Sequence, residues 1–314
     1  MNLSNLLAYK ATLENLDVIR TESNVLQYVE QNNKLLHTTL LNAGLKEKIQ
    51  NSSNIILDEL ARMRLSIEYE KKLVEEMIDN FHDEYDKKSD EIYEGSKNDT
   101  AEYIFERHKE NSLFANKEIW ESFKSRLSLY VSWQKAGLEI HPMYGQVTDL
   151  IKGCDPLYLC DTGDQMLFYT KQLWHAKYQA RLRYYTFNES DDKPLNALPN
   201  EQFGFIVSVA YFNYKPIKIL KKFLINCYDL LCPGGVIMFT YNNCDLSTGV
   251  DNVDHAFATY APKHIVQMIL ENIGYEVITS IDESNNCSWF EAQKPGERKS
   301  MRGGQTLAEI RSFD

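Results

Sequence analysis

The chain has 314 residues, 43% hydrophobic and 25% charged, which is enough for a sizeable core and favours two domains over one. Its net charge of −11 and its pI near 5.2 argue against a general nucleic-acid-binding protein, because phosphate contacts need clustered Lys and Arg. No apolar run approaches the roughly 20 residues that cross a bilayer, and the polar N-terminus lacks the apolar segment of a secretory signal. We therefore expect no membrane contact and a cytoplasmic protein, or an intracellular one in the host if the source is viral.

The cysteines all lie in the C-terminal half, and none forms a Cys-x-x-Cys pair. They are Cys154, Cys160, Cys227, Cys232, Cys244 and Cys287. Several fall inside apolar runs, which favours buried, reduced thiols over a zinc site or a disulfide framework. We expect no metal site.

The first stretch of the chain is predicted to be helical. Residues 1–136 contain only Gly44 and Gly95 and no proline, whereas all eight prolines follow residue 137. This shift predicts four segments. They are a helical, coiled-coil-like assembly domain over 1–96, a linker with helices that pack on a sheet over 97–136, an α/β domain over 137–296, and a basic flexible tail over 297–314.

Two seven-residue repeats support the assembly domain. The first repeat comprises Ile19, Leu26, Asn33 and Leu40, and the second comprises Leu60, Ile67, Val74 and Phe81, with Met63 and Met77 between them. Gly44 is predicted to end the first helix. Long helices of this kind would associate with a second copy or with a partner protein. An ordinary amphipathic helix pair is the alternative.

The segment between the helices and the sheet reads as a linker followed by a packing helix. Residues 86–100 are charged and polar, which predicts the linker itself. Asn116 is a candidate helix cap. An apolar stripe follows it and is predicted to be core against the sheet. The stripe comprises Ile119, Trp120, Phe123, Leu127, Tyr130 and Val131.

From residue 137 onward, strand and helix patterns alternate, which predicts an α/β fold with a mostly parallel sheet covered on both faces. The candidate strands are 137–140, 157–160, 183–187, 205–209, 236–241, 275–280 and 288–292. The candidate helices lie near 145–152, 164–178, 215–231 and 262–273.

The turn after the first strand and the end of the second strand are the candidate ligand site. In a parallel α/β sheet, ligands bind beyond the carboxyl ends of the strands, where the strand order reverses. Here Glu139 is followed by His141-Pro-Met143-Tyr-Gly145, and Asp161 lies at about the 20-residue interval expected for an acid that binds ribose hydroxyls. By itself this pattern is weakly specific.

The downstream order makes the pattern more specific. Phe203–Val209 is an apolar strand followed by Ala210-Tyr-Phe-Asn, and Leu230-Leu-Cys-Pro-Gly-Gly-Val leads into another apolar strand. A helix and the segment Gly-Tyr-Glu-Val277 follow. This succession resembles the class I methyltransferases that use S-adenosylmethionine, over about residues 137–296, and the Pro233-Gly-Gly235 segment is its most specific part.

The resemblance implies a three-layer fold with a seven-stranded sheet in which one strand is reversed, and it implies S-adenosylmethionine as the cofactor. It also assigns donor-binding positions, and His141 falls inside the same motif. By position these are Glu139, Gly145, Asp161, Asn188, Val209 and Ala210. Other roles stay open: Asp161 as a helix cap, Asn188 as a turn residue and Gly145 as a backbone requirement alone.

Two departures from the family pattern affect the same motif. The family would have glycine at positions 141 and 143, where this chain has His141 and Met143. A side chain at such a position costs about 1 kcal/mol if the backbone has positive φ, and Met143 could fill the space that the donor needs. His141 has three alternative roles, as a ligand contact, a base or a packing residue.

These features support three functional hypotheses. The first is a divergent methyltransferase with an unknown acceptor and no identified catalytic residue. The second is a non-catalytic structural or interaction protein on a degenerate methyltransferase fold, for example a subunit of a larger particle such as a phage virion. The third, an NAD-linked oxidoreductase, fits less well because the first turn lacks the glycines of the dinucleotide fingerprint.

Overall fold

The computed structural model describes residues 3–14, 27, 29–30, 34, 43–97, 99, 103, 113, 116–163, 167–168, 171–172, 174–283 and 287–296. Its contacts divide the chain into two units, Met1–His82 and Asp83–Asp314. Within the described residues, no helix is both long enough and apolar enough to span a membrane.

The N-terminal unit contains a helix pair, α1 (Leu3–Glu14) and α2 (Ala43–Asp79). The Tyr9 hydroxyl donates a hydrogen bond of 2.6 Å to Glu70, and Lys10 lies 3.3 Å from Glu75. The four buried residues of α1 are leucines: Leu3, Leu6, Leu7 and Leu13. Both helices thus bury one apolar face in this unit.

The two predicted repeats have different outcomes. Leu60 and Val74 of the second repeat are buried and Ile67 is half-buried, but Met63 and Met77 are exposed. Ile19, Leu26, Asn33 and Leu40 of the first repeat lie outside the described residues. The predicted helix end at Gly44 is wrong, because α2 begins at Ala43 and runs through it.

The C-terminal unit is α/β. Its α-helices among the described residues are α3 (His82–Ser96, whose first residue is the last of the N-terminal unit), α4 (Lys117–Ser128), α5 (Gln146–Ile151), α6 (Ala176–Gln179), α7 (Ile217–Leu230), α8 (Ser247–Asp254) and α9 (Lys263–Ile273). Its strands are β1 (Ala136–Ile140), β2 (Leu157–Asp161), β3 (Leu182–Thr186), β4 (Phe203–Ser208), β5 (Leu231–Tyr241), β6 (Glu276–Glu283) and β7 (Cys287–Gln293). All seven predicted strands are present, with shifted ends.

The strands form one sheet in the order β3-β2-β1-β4-β5-β7-β6. All neighbouring pairs from β3 to β5 are parallel, and β7 is antiparallel to both β5 and β6. The chain leaves β1 toward β2 and β3, then returns to β4 on the other side of β1. The strand order therefore reverses between β1 and β4, which is where a ligand crevice forms in such sheets.

Helices cover both faces of the sheet. Alternate residues of a strand point to opposite faces. Leu138 of β1 and Phe239 of β5 belong to one buried cluster with α7 and α9, whereas Val207 of β4 and Met238 of β5 belong to a second cluster with α4 and α5. The predicted three-layer, mostly parallel α/β architecture is thus confirmed.

The prediction of a linker over residues 86–100 is wrong. Residues up to Ser96 form α3, and its Tyr85, Ser89 and Tyr93 are buried. The Ser89 hydroxyl oxygen accepts a hydrogen bond of 2.7 Å from the Tyr260 amide. The polar composition reflects the solvent face of this helix, which from Asp83 onward belongs to the C-terminal unit.

The cap and the apolar stripe that precede the sheet are confirmed. The Asn116 side chain accepts hydrogen bonds from the amides of Glu118 and Ile119 and begins α4. The stripe of α4 packs in the second cluster of the sheet. Arg126 extends this contact, because its guanidinium forms two hydrogen bonds of 2.9 and 2.6 Å with the buried carboxylate of Glu291 on β7.

The Pro-Gly-Gly segment lies inside a strand rather than in a turn before it. β5 begins at Leu231, and its pairing with β4 shifts from Phe203↔Leu231 to Phe205↔Val236. Gly234 has a φ of 73°. The segment is therefore an irregular strand start in which the chain bulges, and the regular part begins at Val236, as predicted.

Candidate functional site

The candidate site lies at the edge of the sheet where β1, β2, β3 and β4 end. Parallel strands place their carboxyl ends at the same edge. Ile140, Asp161, Thr186 and Ser208 are the last residues of these four strands. The His141 amide donates to the Cys160 carbonyl over 2.8 Å, which continues the β1–β2 ladder into the turn. Sequence-distant residues therefore meet here.

The turn after β1 has the backbone of a glycine-rich loop but carries side chains. His141 has a φ of 67°, Met143 of 47° and Gly145 of 70°. Positive φ costs a residue with a β-carbon roughly 1–2 kcal/mol. Both departures from the family pattern thus lie where glycine would relieve strain. Gly145 precedes α5 in the left-handed conformation, which glycine adopts without steric strain, so the backbone alone favours glycine at this position.

The His141 ring contacts the carboxylate of Asp161 at the end of β2. Its Nδ1 lies 3.0 Å from Oδ2 and 3.2 Å from Oδ1 of Asp161. The His141 side chain is 6% exposed and that of Asp161 is 0% exposed. Asp161 Oδ1 also accepts a hydrogen bond of 2.8 Å from the Thr162 amide. Both carboxylate oxygens of the predicted ribose acid therefore have partners within the chain.

Glu139 is buried beside this pair. Its Oε2 accepts a hydrogen bond of 2.6 Å from the Thr148 hydroxyl on α5. Burial raises the pKa of Glu139 from 4.5 to about 8, the Thr148 hydrogen bond opposes this shift, and the charge of Asp161 adds to it. We infer a protonated side chain at neutral pH that holds the first turn of α5 against β1.

A second buried network, which the sequence did not indicate, adjoins His141. The ring of Tyr211 lies 5.4 Å from that of His141, and the Tyr211 hydroxyl donates to Glu189. Glu189 also accepts from Tyr93 over 2.7 Å and pairs with Lys215 at 2.6 Å. Burial alone would raise the pKa of Glu189, but Lys215 and the two tyrosine hydroxyls together lower it. The one sequence feature that could have pointed to this network is the position of Tyr211 directly after Ala210, a predicted site residue.

Asn188 does not contact Asp161 but lines a cavity near it. Its side chain accepts a hydrogen bond of 3.0 Å from the Ser190 amide, as a turn residue does. The cavity measures ≈ 460 Å³ and follows the ends of β2 and β3. Its lining includes Thr162, Gly163, Thr186 and Asn188.

Val209 and Ala210 directly follow Ser208, the last residue of β4, and both are buried. Ala210 has a φ of 57°, and its amide donates to the Thr240 hydroxyl over 2.7 Å. Thr240 in turn donates to Asn213 over 2.8 Å. A chain of hydrogen bonds therefore fixes the backbone beyond β4.

The residues brought together by the fold do not fit S-adenosylmethionine in this arrangement. The donor would need a free carboxylate at Asp161 and space above the first turn. Asp161 instead contacts His141, and Met143 is only 6% exposed. A side chain would have to leave the turn before the ribose could bind. Glu139, His141 and Asp161 form a closed cluster.

No protein-family model and no curated protein matches the chain. Many solved structures of S-adenosylmethionine-dependent methyltransferases match about half of it at low identity. The N-methyltransferase NodS from Bradyrhizobium japonicum is 16% identical, with 60% of this chain and 99% of that chain covered and a TM-score of 0.44.

Two further solved structures give similar values. A methyltransferase from Aquifex aeolicus is 13% identical, with coverage of 61% and 97% and a TM-score of 0.44. An O-methyltransferase family protein from Burkholderia thailandensis is 11% identical, with coverage of 57% and 57% and a TM-score of 0.46. Independently of these likenesses, the strand order defines an α/β unit with one reversed strand, as the resemblance to class I methyltransferases implies.

Proposed function

We propose that the C-terminal unit is a non-catalytic structural or interaction domain on a methyltransferase fold, and that its own side chains fill the donor site. The observation that carries this proposal is the buried contact of 3.0 Å between His141 and Asp161. A carboxylate that binds ribose must be accessible to the ligand, whereas the Asp161 side chain is 0% exposed and both of its oxygens have partners within the chain.

The energetics of the turn support the same proposal. His141 and Met143 hold positive φ, where each side chain costs roughly 1–2 kcal/mol. Strain of this kind persists only where the surrounding structure compensates for it. The compensation is the buried contact of His141 with Asp161 and the burial of Met143. Both interactions stabilise the closed turn, and neither serves a bound donor.

One observation favours a second candidate, methyl transfer from S-adenosylmethionine to an unidentified acceptor. The cavity of ≈ 460 Å³ begins at Thr162, directly after Asp161, and includes Asn188. The resemblance places the adenine end of the donor beside these residues. For this candidate, the His141 side chain must rotate away from Asp161 when the donor binds.

Isothermal titration calorimetry of the full chain distinguishes the two candidates. S-adenosylmethionine and its demethylated product are each titrated into wild type and into the double variant His141→Gly/Met143→Gly. We expect no heat of binding for wild type at millimolar ligand, and binding by the double variant. Wild-type binding in the micromolar range would overturn the proposal and favour methyl transfer.

Glu201→Gly is the matched control. Glu201 also has a positive φ, of 53°, but it precedes β4 at the opposite edge of the sheet. This variant removes the same kind of backbone strain without opening the turn, so it should not bind either ligand. If the double variant also fails to bind while remaining folded, His141 and Met143 are not what closes the site.

A further inference from the structure

The long helix of the N-terminal unit carries an exposed apolar stripe. Leu65 is 72% exposed, Tyr69 68% and Leu73 45%. Successive residues of a helix are separated by 100°, so Tyr69 points away from Leu60 and Ile78, which are buried. The stripe therefore lies on the side of α2 opposite to its buried face.

Two opposite charges end this stripe at equal distances from Tyr69. Arg62 precedes Tyr69 by seven residues and Glu76 follows it by seven, so all three lie on one line along α2. Their side chains are 74% and 64% exposed. The order Arg62, Leu65, Tyr69, Leu73, Glu76 has spacings of three, four, four and three residues, which read the same in both directions.

A sequence that is symmetric in spacing but opposite in charge at its ends is complementary to itself when reversed. In an antiparallel pair with a two-fold axis at Tyr69, Arg62 of each copy faces Glu76 of the other, and Leu65 faces Leu73. A parallel pair would place Arg62 against Arg62 and Glu76 against Glu76, which is repulsive. A two-fold axis also makes both charge contacts equivalent.

We propose that two copies of this chain associate through α2 in an antiparallel arrangement centred on Tyr69. The apolar centre supplies the burial, and the two Arg62–Glu76 contacts set the direction. Within each copy these charges have only intrahelical partners among the described ion pairs, Glu59 at 2.9 Å from Arg62 and Lys72 at 3.9 Å from Glu76. Such exposed pairs rearrange readily.

Sedimentation velocity of the full chain over a range of concentrations tests the proposal. We expect a monomer–dimer equilibrium. Arg62→Glu and Glu76→Arg, each alone, should raise the dissociation constant about tenfold, because each replaces two attractive contacts by two repulsive ones. The double variant Arg62→Glu/Glu76→Arg should restore most of the wild-type affinity. Tyr69→Glu should abolish the dimer.

Glu47→Arg is the matched control for charge, since it makes the same reversal about 33 Å along α2 from Tyr69. It should leave the dissociation constant unchanged. Circular dichroism checks that each variant keeps its helix content. The proposal is overturned if the wild-type chain is a monomer throughout, if Tyr69→Glu leaves a dimer, or if the double variant is weaker than either single variant.

Discussion

His141 Nδ1 lies 3.0 Å from Asp161 Oδ2, and this buried contact joins the turn after β1 to the end of β2. The family pattern would place glycine at one of these positions and a free acid at the other. The side chain that replaces glycine thus reaches the very carboxylate that the pattern reserves for a ligand. Both groups are buried, so their mutual contact replaces hydration that neither retains.

We predict that His141→Ala destabilises the fold by about 3 kcal/mol, because it leaves the buried Asp161 carboxylate without its ring partner. A double-mutant cycle with Asp161→Asn should give a coupling energy above about 1 kcal/mol. Urea unfolding of the four proteins measures both quantities. His264 and Asp245 form a matched but exposed pair at 2.9 Å, for which the same cycle should give at most about 0.5 kcal/mol. Equal couplings would contradict the importance of burial.

We predict that Glu139→Gln is more stable than wild type above neutral pH. The pKa of Glu139 in the fold is raised from 4.5 to about 8, so its contribution is fully present below pH 4.5 and is lost as the pH rises toward 8. Glutamine keeps an acceptor for Thr148 but does not ionise. The stability difference should grow from pH 5 to pH 8 by up to about 1.4 kcal/mol per pH unit.

Urea unfolding at pH 5, 6.5 and 8 measures this difference. A difference that does not change with pH would show that Glu139 ionises as an ordinary carboxyl group in the folded protein.

We predict that Arg126→Ala costs about 3–5 kcal/mol at neutral pH, because the buried Glu291 carboxylate loses both guanidinium bonds. Burial by itself would raise the pKa of Glu291, but the hydrogen bonds from Arg126, Tyr130 and Trp289 lower it by more. The pKa therefore lies below the ordinary value of 4.5. The stability from this group is present above pH 4.5 and is lost in acid, so the deficit of the variant should shrink there.

Lys124→Ala on the same helix is the control. Lys124 has an exposed ion pair with Glu121 at 2.6 Å, and its removal should change stability by less than about 0.5 kcal/mol. A similar loss in both variants would rule out a special role for the buried carboxylate.

We predict that Tyr93→Phe lowers the stability of the C-terminal unit by about 1–2 kcal/mol. The Tyr93 hydroxyl donates a hydrogen bond of 2.7 Å to Glu189, which is itself mostly buried. The variant therefore leaves a buried acceptor with one donor fewer. Thermal unfolding monitored by near-UV circular dichroism detects the change. Glu91→Gln, at an exposed position of α3, should have no effect. If Tyr93→Phe unfolds at the same temperature as wild type, α3 does not contribute to the stability of this unit.

Much of the α/β unit follows from local pattern. Apolar runs predicted the central strands β1, β2, β4 and β5, because strands buried on both faces need apolar residues in succession. Asn116 and the stripe beyond it predicted where α4 begins and which face it buries. The linker over 86–100 was wrongly predicted, because three buried residues among many polar ones, Tyr85, Ser89 and Tyr93, are too few to reveal a packed helix face.

The sequence by itself determined the order of strands and helices, the acid at the end of β2 and the two positions where side chains replace glycine. Each of these is a local property of residue type and spacing. Only the tertiary structure decided that His141 engages Asp161, and that Tyr93, Tyr211 and Lys215 converge on Glu189. These contacts join residues far apart in the chain, and their direction depends on φ angles and packing that no short pattern encodes.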